Sequence, residues 1–491
     1  MAFNSIIYHL QRQAHENPDF IALVYGETSI SFRKLFELAM KTGGLLTEKG
    51  VKSSDVVALS FRSELLYTLS ILGIASLGAT SICIPISTPR HQKHLFTKQA
   101  RCTKFLKDEE HESYSDDPWK IINLADLFTY SGNGFTFIES PGTNLILAIG
   151  SGSTGLKKLM PISHQVMIER CDTVLDDPVL KSGGRLLCLS SIAFISVVNR
   201  FFNAIHSGTT FILLDSKIDD IFEFIRRNSV SALVLSVFHL EELLRKPRSD
   251  SFDYFQKYIK AIRCVGSLFS EDLKKRVFDN LNENVINSYA TNETGVISRT
   301  TLPAHFDGLS NIGFPLNRVK VEVVDPTDKV LSYGKRGNIR ISTPGLINQY
   351  LYNELATKKH FRGKWFYPGD IGEFSSDGSL LFHGRSDRMM IFNGINIFPV
   401  EIEQTLTSHP LVIDCIAFPI KNLVSQDIPV CAISIKGSSH LSEKDLLQWA
   451  TERLGISCPR RIFILQTLPK TVEGKVNLFE LVEIIRDKFK N

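Results

Sequence analysis

The chain has 491 residues, 43% hydrophobic and 22% charged, which is longer than one hydrophobic core normally organises and ordinary in composition for a folded protein. Its 56 basic and 52 acidic residues leave a formal net charge of +4 with no concentrated basic tract, which argues against nucleic acid as a main partner. Eight cysteines (Cys83, Cys102, Cys171, Cys188, Cys264, Cys415, Cys431 and Cys458) lie far apart, with no CxxC pair and no His/Cys grouping at zinc spacing, so they read as reduced, mostly buried thiols.

In chain order, the opening MAFNSIIYHLQRQAHENPDF lacks a basic stretch followed by an apolar core and a small-residue cleavage site, so a cytoplasmic location is the expectation. A helical stretch, SFRKLFELAMKTGGLLTEKG, precedes the apolar strand VVALSF. Leu65 to Pro89 then carries no charged residue and is long enough to cross a bilayer. Ser70, Ser76, Thr80 and Ser81, the breakers Gly73, Gly78 and Pro85, and the lack of an aromatic or basic belt at both ends argue against a membrane span. The better reading is a buried helix, LLYTLSILGIASLG, followed by a buried strand, TSICIPI. Further on, GTTFILLD and SALVLSV read as strands and IDDIFEFIRRN as a helix, the alternation of a layered α/β body. Between about 317 and 345 the texture changes to strand, Pro/Asp turn, strand, as in a small antiparallel or barrel subdomain. From about 388, strands (VIDCIAFPI, PVCAISI) and helices (SEKDLLQWATERL, LFELVEIIRDKFK) fit a compact α+β unit.

The stretch GSGSTGLKKLMPISH, beginning at Gly150, carries the most chemistry. Its glycines let successive backbone N–H groups form an anion-binding nest, its hydroxyls add donors, and lysine adds charge. The nucleotide-hydrolase spacing GxxxxGK[ST] would need lysine at 156 and Ser or Thr at 157, where the chain has Leu156 and Lys157. A flexible Gly/Ser linker is the plain alternative for the loop taken alone.

Five further stretches follow in order: GSLFSEDL at 266, NSYATNETG at 287, FYPGDIG at 366, GRSDRMMIFNGINIFPVEIE at 384 and LPKTVEGKVN at 468. Together with the loop they resemble the adenylate-forming enzymes, the acyl-CoA synthetase and ligase superfamily, over essentially the whole chain. The resemblance implies an α/β fold: a large N-terminal adenylation domain of layered α/β subdomains (1–386), with a small β-barrel-like subdomain at about 317–386, then a small mobile α+β C-terminal domain (387–491). It implies ATP and Mg²⁺ as cofactors, coenzyme A as co-substrate and a small carboxylic acid as substrate, with acyl-AMP and pyrophosphate formed first and a thiol then displacing AMP. An acyl carrier protein or an amine is the alternative acceptor, and a catalytically degenerate nucleotide- or acyl-binding relative is the third reading.

Residue by residue, the resemblance implies that Ser151, Gly152, Ser153, Thr154, Gly155 and Lys158 cradle the departing pyrophosphate, with Gly266 and Ser267 also on the nucleotide side. Tyr289 takes the place of the adenine-stacking aromatic, Asn292 stands beside the magnesium glutamate Glu293, and Asp370 would bind both ribose hydroxyls with Arg385 near the same ribose. Asp387 falls at the hinge between domains, Gly394 in the loop offered to the thiol arm, and Lys475 at the lysine that enters from the C-terminal domain to hold carboxylate and α-phosphate oxygens.

Several positions depart from the pattern. Lys157 stands for the usual proline, Leu159 for a glycine, Asn292 and Pro368 for threonines, Ile192 and Ala193 for an aromatic followed by histidine, and Ile391 for a lysine. Relatives that activate α-amino acids hold the ammonium with an aspartate near 190, and SSIAFIS has none. With Ile192, Phe194, Ile195, Val197, Val198 and Phe201 apolar there, an aromatic or aliphatic acid is the expected substrate.

Overall fold

The computed structural model describes residues 5–107, 120–122, 127, 135–138, 143–150, 157–181, 183–214, 218, 220–245, 249–265, 271–281, 284–301, 311–422, 426–435, 441–470 and 476–488. Their secondary structure gathers into four sheets with helices packed on their faces. A nine-stranded sheet is parallel through its middle, where Ile21–Tyr25, Thr210–Ile212, Arg185–Cys188, Ala232–Ser236, Ala261–Val265 and Val285–Thr291 lie side by side, and antiparallel at both edges. A six-stranded sheet runs Lys120–Ile122, Lys104–Lys107, Val56–Ser60, Thr80–Cys83, Asn144–Gly150 and Lys158–Ser163. Strands of both sheets are apolar in consecutive residues because both faces are covered.

The uncharged stretch after Leu65 forms the helix Glu64–Ser76 and the strand Thr80–Cys83, with Tyr67–Ser76 buried on every side. Two of its hydroxyls are absorbed locally: Thr68 donates to the Glu64 carbonyl and Ser76 to the Gly73 carbonyl. Gly73 does not break the helix. It lets the helix lie against Phe32–Glu48, because a Cβ there would collide with Thr42, and the facing Gly43 would collide with Ser76. The strand stops short of the expected TSICIPI: Ile84 still donates to Leu59, but Pro85 has no N–H to continue the ladder. Among the described residues no helix is long and apolar enough to cross a membrane.

Residues 320–385 build a third, antiparallel sheet, in which Asp370–Phe374 lies between Gly337–Ser342 and Leu380–Arg385. The fourth sheet pairs Val412–Asn422 with Gln426–Ile435 over a separate apolar core that includes Met390, Ile402, Leu406 and Leu446. Its helix Glu443–Leu454 starts at a capping box, in which Ser442 and Asp445 satisfy each other's backbone N–H groups. All eight cysteines are free and seven are buried, Cys102 being half-buried.

Candidate nucleotide site

The motif residues converge where the nine-stranded sheet ends against the antiparallel one. Strand Val285–Thr291 delivers Tyr289, and a register shift between Tyr289 and Ala290 turns the ladder there, as bulges beside functional sites do. The Tyr289 hydroxyl donates to one oxygen of Asp370. Register also places Asp370 directly opposite Arg385, whose Nη1 lies 3.4 Å from the other oxygen. Arg385 at the same time grips Asp387 through two bonds of 2.9 and 3.0 Å, so the two side chains form one unit. Gly369, at φ 87°, makes the turn between the buried Pro368 and the buried Asp370.

These neighbours set the charge states. Burial raises the Asp370 carboxyl above its ordinary value, and the Tyr289 hydroxyl and Arg385 oppose that shift. The bidentate bond to Arg385 holds the Asp387 carboxyl low. Burial first, then the Asp370 charge, keep the Tyr289 phenol protonated well beyond its usual range.

A second group gathers around Glu293 and Lys158. Glu293 sits in the turn between Val285–Thr291 and Gly295–Thr301, and one carboxylate oxygen accepts from the Tyr350 hydroxyl at 2.6 Å. The ring of Tyr350 lies 4.6 Å beneath the Lys158 ammonium, and Lys158 Nζ is 3.2 Å from His360 Nε2. Burial lowers the Lys158 pKa, with the Glu293 charge resisting. Lys158, not Lys157, turns to the site. The carbonyl of Lys157 instead takes a bond of 2.7 Å from Gln99.

The turn carrying Glu293 is held from below by Arg170, on the helix His164–Thr173. Its Nε donates to the Gly345 carbonyl at 3.0 Å and its Nη2 to those of Asn292 and Glu293 at 2.9 Å each. Gly345 permits this passage, since a Cβ there would sit 2.7 Å from Arg170 Cγ. Burial pushes the guanidinium down to about 10, which leaves it charged at neutral pH.

Not every expected residue joins this cluster. Ser151, Gly152, Ser153, Thr154, Gly155, Gly266, Ser267 and Lys475 lie outside the described residues. Gly394 is at an exposed Asn-Gly hairpin tip, with Asn393 at φ 50° and Gly394 at φ 80°. Leu159, which stands where a glycine is usual, is extended and fully buried, and its carbonyl accepts from Leu351. The apolar residues after 190 divide: Ile192, Val198 and Phe201 are fully buried in the main core, whereas Phe194 and Ile195 are half-buried. From Ile195 onward an amphipathic helix, Ile195–Ser207, produces the split by laying one face on the sheet. Arg170, Tyr350 and His360 were not anticipated. Only Arg170 carries a signal, a cation sharing the buried face of Met167 and Cys171 at helical spacing.

The profile of the AMP-binding enzyme family matches residues 10–351, and that of the AMP-binding enzyme C-terminal domain matches residues 401–475. The chain belongs to the AMP-binding enzyme family. It is 24% identical to the 2-succinylbenzoate–CoA ligase of Bacillus licheniformis over 95% of this chain and 97% of that one. It is 25% identical to tyrocidine synthase 3 of Brevibacillus parabrevis over 95% of its length, which is 7% of that larger protein. Among solved structures, the O-succinylbenzoate coenzyme A synthetase of Bacillus subtilis in complex with ATP and magnesium superposes with a TM-score of 0.85 at 20% identity, covering 98% of this chain and 99% of that one. That likeness shows the large N-terminal and smaller C-terminal parts of the family fold.

Proposed function

We propose that this member of the family activates a carboxylic acid with ATP and passes the acyl group to the thiol of coenzyme A. The observation that carries the reading is the gathering of Lys158, Tyr289, Glu293, Asp370 and Arg385, from well-separated stretches of chain and three different sheets, into one cluster. In this reading the acid's carboxylate oxygen attacks the α-phosphorus, the bond to the bridging oxygen breaks, and pyrophosphate leaves. The thiolate then attacks the acyl carbon and AMP leaves.

Within that scheme Tyr289 would cover the adenine and Asp370 would take the ribose hydroxyls, with Arg385 holding the carboxylate in place. Lys158 and the loop from Ser151 would receive the phosphate charge. Glu293 fits magnesium: it is a hard oxygen donor with Oε2 unoccupied by any hydrogen bond among the described residues, and this ion is usually held by one or two carboxylates with phosphates and water completing its shell. The ion would screen charge between the phosphates. Lys475 would bring an ammonium to the reacting carboxylate from a C-terminal domain that begins at 387, and Asp387, tied to Arg385, would be its hinge.

The segment from Ser191 to Ile195 offers no free carboxylate. The nearby Glu64 is already engaged by the Ser191 hydroxyl at 2.6 Å and the Ile192 N–H at 2.7 Å. This supports a non-amino-acid, aryl or aliphatic substrate, since the nearby carboxylate is already committed to two other donors.

The test is acid-dependent pyrophosphate release over aryl, aliphatic and amino acids, with hydroxylamine trapping of the acyl-AMP, for the wild type and Lys475→Ala. Release by the wild type and loss of ~100-fold or more in the variant is expected, the scale of one preorganised charge contact. A wild type silent on every acid while still binding ATP would overturn the enzymatic reading, and dominant release with amino acids would overturn the substrate class. Adding coenzyme A or a carrier protein to the trapped intermediate then identifies the acceptor.

A further inference from the structure

The contact between Lys158 and His360 has a polarity that the hydrogen bonds dictate. His360 Nδ1 lies 2.7 Å from the Tyr367 carbonyl, and a carbonyl only accepts, so Nδ1 carries the hydrogen. In the neutral ring Nε2 is then a bare lone pair, and it faces an ammonium that only donates, at 3.2 Å. Burial, with Lys158 and Lys359 adding to it, keeps the imidazole neutral by lowering its pKa, against the Tyr367 carbonyl and the Glu293 charge. The ring is itself fixed, edge-on to Tyr350 at 5.9 Å and stacked on Phe366 at 6.2 Å.

A neutral partner is a specific solution to a physical conflict. A lysine has four rotatable bonds and loses rotamer entropy when it is held still, so it is held best by a strong contact. A carboxylate would supply one, but it would also cancel the charge that phosphates need, and a cation would expel the ammonium. A neutral imidazole acceptor fixes the position and leaves the full +1. Tyr350 completes the arrangement, offering its ring face to Lys158 and its hydroxyl to Glu293, so cation and carboxylate are referenced to one buried side chain.

We propose that His360 is a positioning residue for the phosphate-binding lysine: its Nδ1-protonated ring holds the Lys158 ammonium over Tyr350 so that its remaining donors meet the β- and γ-phosphates of ATP. The inference rests on the ATP-dependent reading of the site.

Two substitutions separate positioning from bulk. In His360→Gln the amide oxygen reaches the place of Nε2 and can still accept from Lys158. In His360→Asn the shorter amide reaches only the place of Nδ1, keeping the Tyr367 carbonyl satisfied while Lys158 loses its acceptor. Calorimetric titration with a non-hydrolysable ATP analogue and with AMP, which lacks the β- and γ-phosphates, is the readout. We expect about tenfold weaker binding of the analogue by His360→Asn, unchanged AMP binding, recovery in His360→Gln, and no further loss when His360→Asn is added to Lys158→Ala. Equal losses of analogue and AMP, equal losses in Asn and Gln variants, or an undiminished loss in the Lys158→Ala background would each overturn the proposal. A wild type that binds AMP and the analogue equally well would overturn it too, by removing Lys158 from phosphate binding. A wild type that binds neither nucleotide would refute the functional reading itself and the proposal with it.

Discussion

Replacing Arg170 by lysine tests the idea that the Glu293 turn is held by its backbone. The native guanidinium makes three bonds, to the carbonyls of Gly345, Asn292 and Glu293, at 3.0, 2.9 and 2.9 Å. An ammonium keeps the charge but offers a point in place of a fork, and it can serve one of these carbonyls well. Two charge-assisted bonds at roughly 1.5 kcal/mol each are then lost, so about 3 kcal/mol is expected. Because the orphaned carbonyls belong to the turn bearing Glu293, the loss should reach the site as a rise in KM for ATP. Urea unfolding followed by circular dichroism, with pyrophosphate release alongside, measures both. Gly345→Ala should reproduce the phenotype, since its Cβ would sit 2.7 Å from Arg170 Cγ and push the side chain out of its channel. An Arg170→Lys protein that unfolds within 1 kcal/mol of the wild type, with unchanged KM, would refute the reasoning (~1 kcal/mol being the worth of a single ordinary bond).

Two other outcomes are expected. Asp370→Asn should weaken AMP and ATP alike by ~10- to 100-fold in calorimetry, since it removes the charge from the bonds that the ribose and Arg385 would share; a change confined to ATP would contradict the ribose role. Stability should fall as pH drops from 6.5 towards 4, because burial holds His164 down to about 4 and burial also lowers His9 and His206. The sign follows from proton binding: in this window the unfolded chain takes up protons that the folded one refuses, so the full contribution is present above pH 6.5 and is lost on acidification. For His164, which accepts from the Ile6 N–H through Nδ1, the limit is about 3 kcal/mol, and His164→Gln should flatten that part of the acid limb in urea titrations.

How far the sequence could be read depended on what kind of interaction was at stake. The buried helix from Glu64 was legible because an uncharged run interrupted by serines and glycines suits the interior of an α/β body better than a bilayer. Tyr289, Glu293, Asp370 and Arg385 were legible as members of motifs, but their mutual geometry was not. The pairing of Asp370 with Arg385 comes from antiparallel register across a turn, which a bulge between Ile371 and Gly372 adjusts. Arg170 showed only as a cation on a buried helix face, and its role stayed hidden for a deeper reason: its partners are carbonyls, which every residue has, so no side-chain pattern announces them. His360 reads as one more polar residue after Lys358 and Lys359 until the strand Trp365–Phe366 folds back and brings the Tyr367 carbonyl beneath it. Leu159 shows the converse. A missing glycine suggested an altered loop, and the leucine was simply recruited into a strand and its core.

The eight thiols give the molecule a built-in chemical clock. Burial drives Cys83, Cys171 and Cys264 far above their ordinary acidity range and Cys102 and Cys188 up to about 12, so these five hold almost no thiolate at neutral pH. At the seven buried cysteines iodoacetamide waits for the chain to open, so each alkylation event there records an opening around one cysteine. Cys171 lies beside Arg170 beneath the nucleotide site, Cys264 within the nine-stranded sheet and Cys431 in the separate C-terminal core. Mass-resolved labelling at these three would time, in one tube, which part of the enzyme breathes first and which of them ATP quiets.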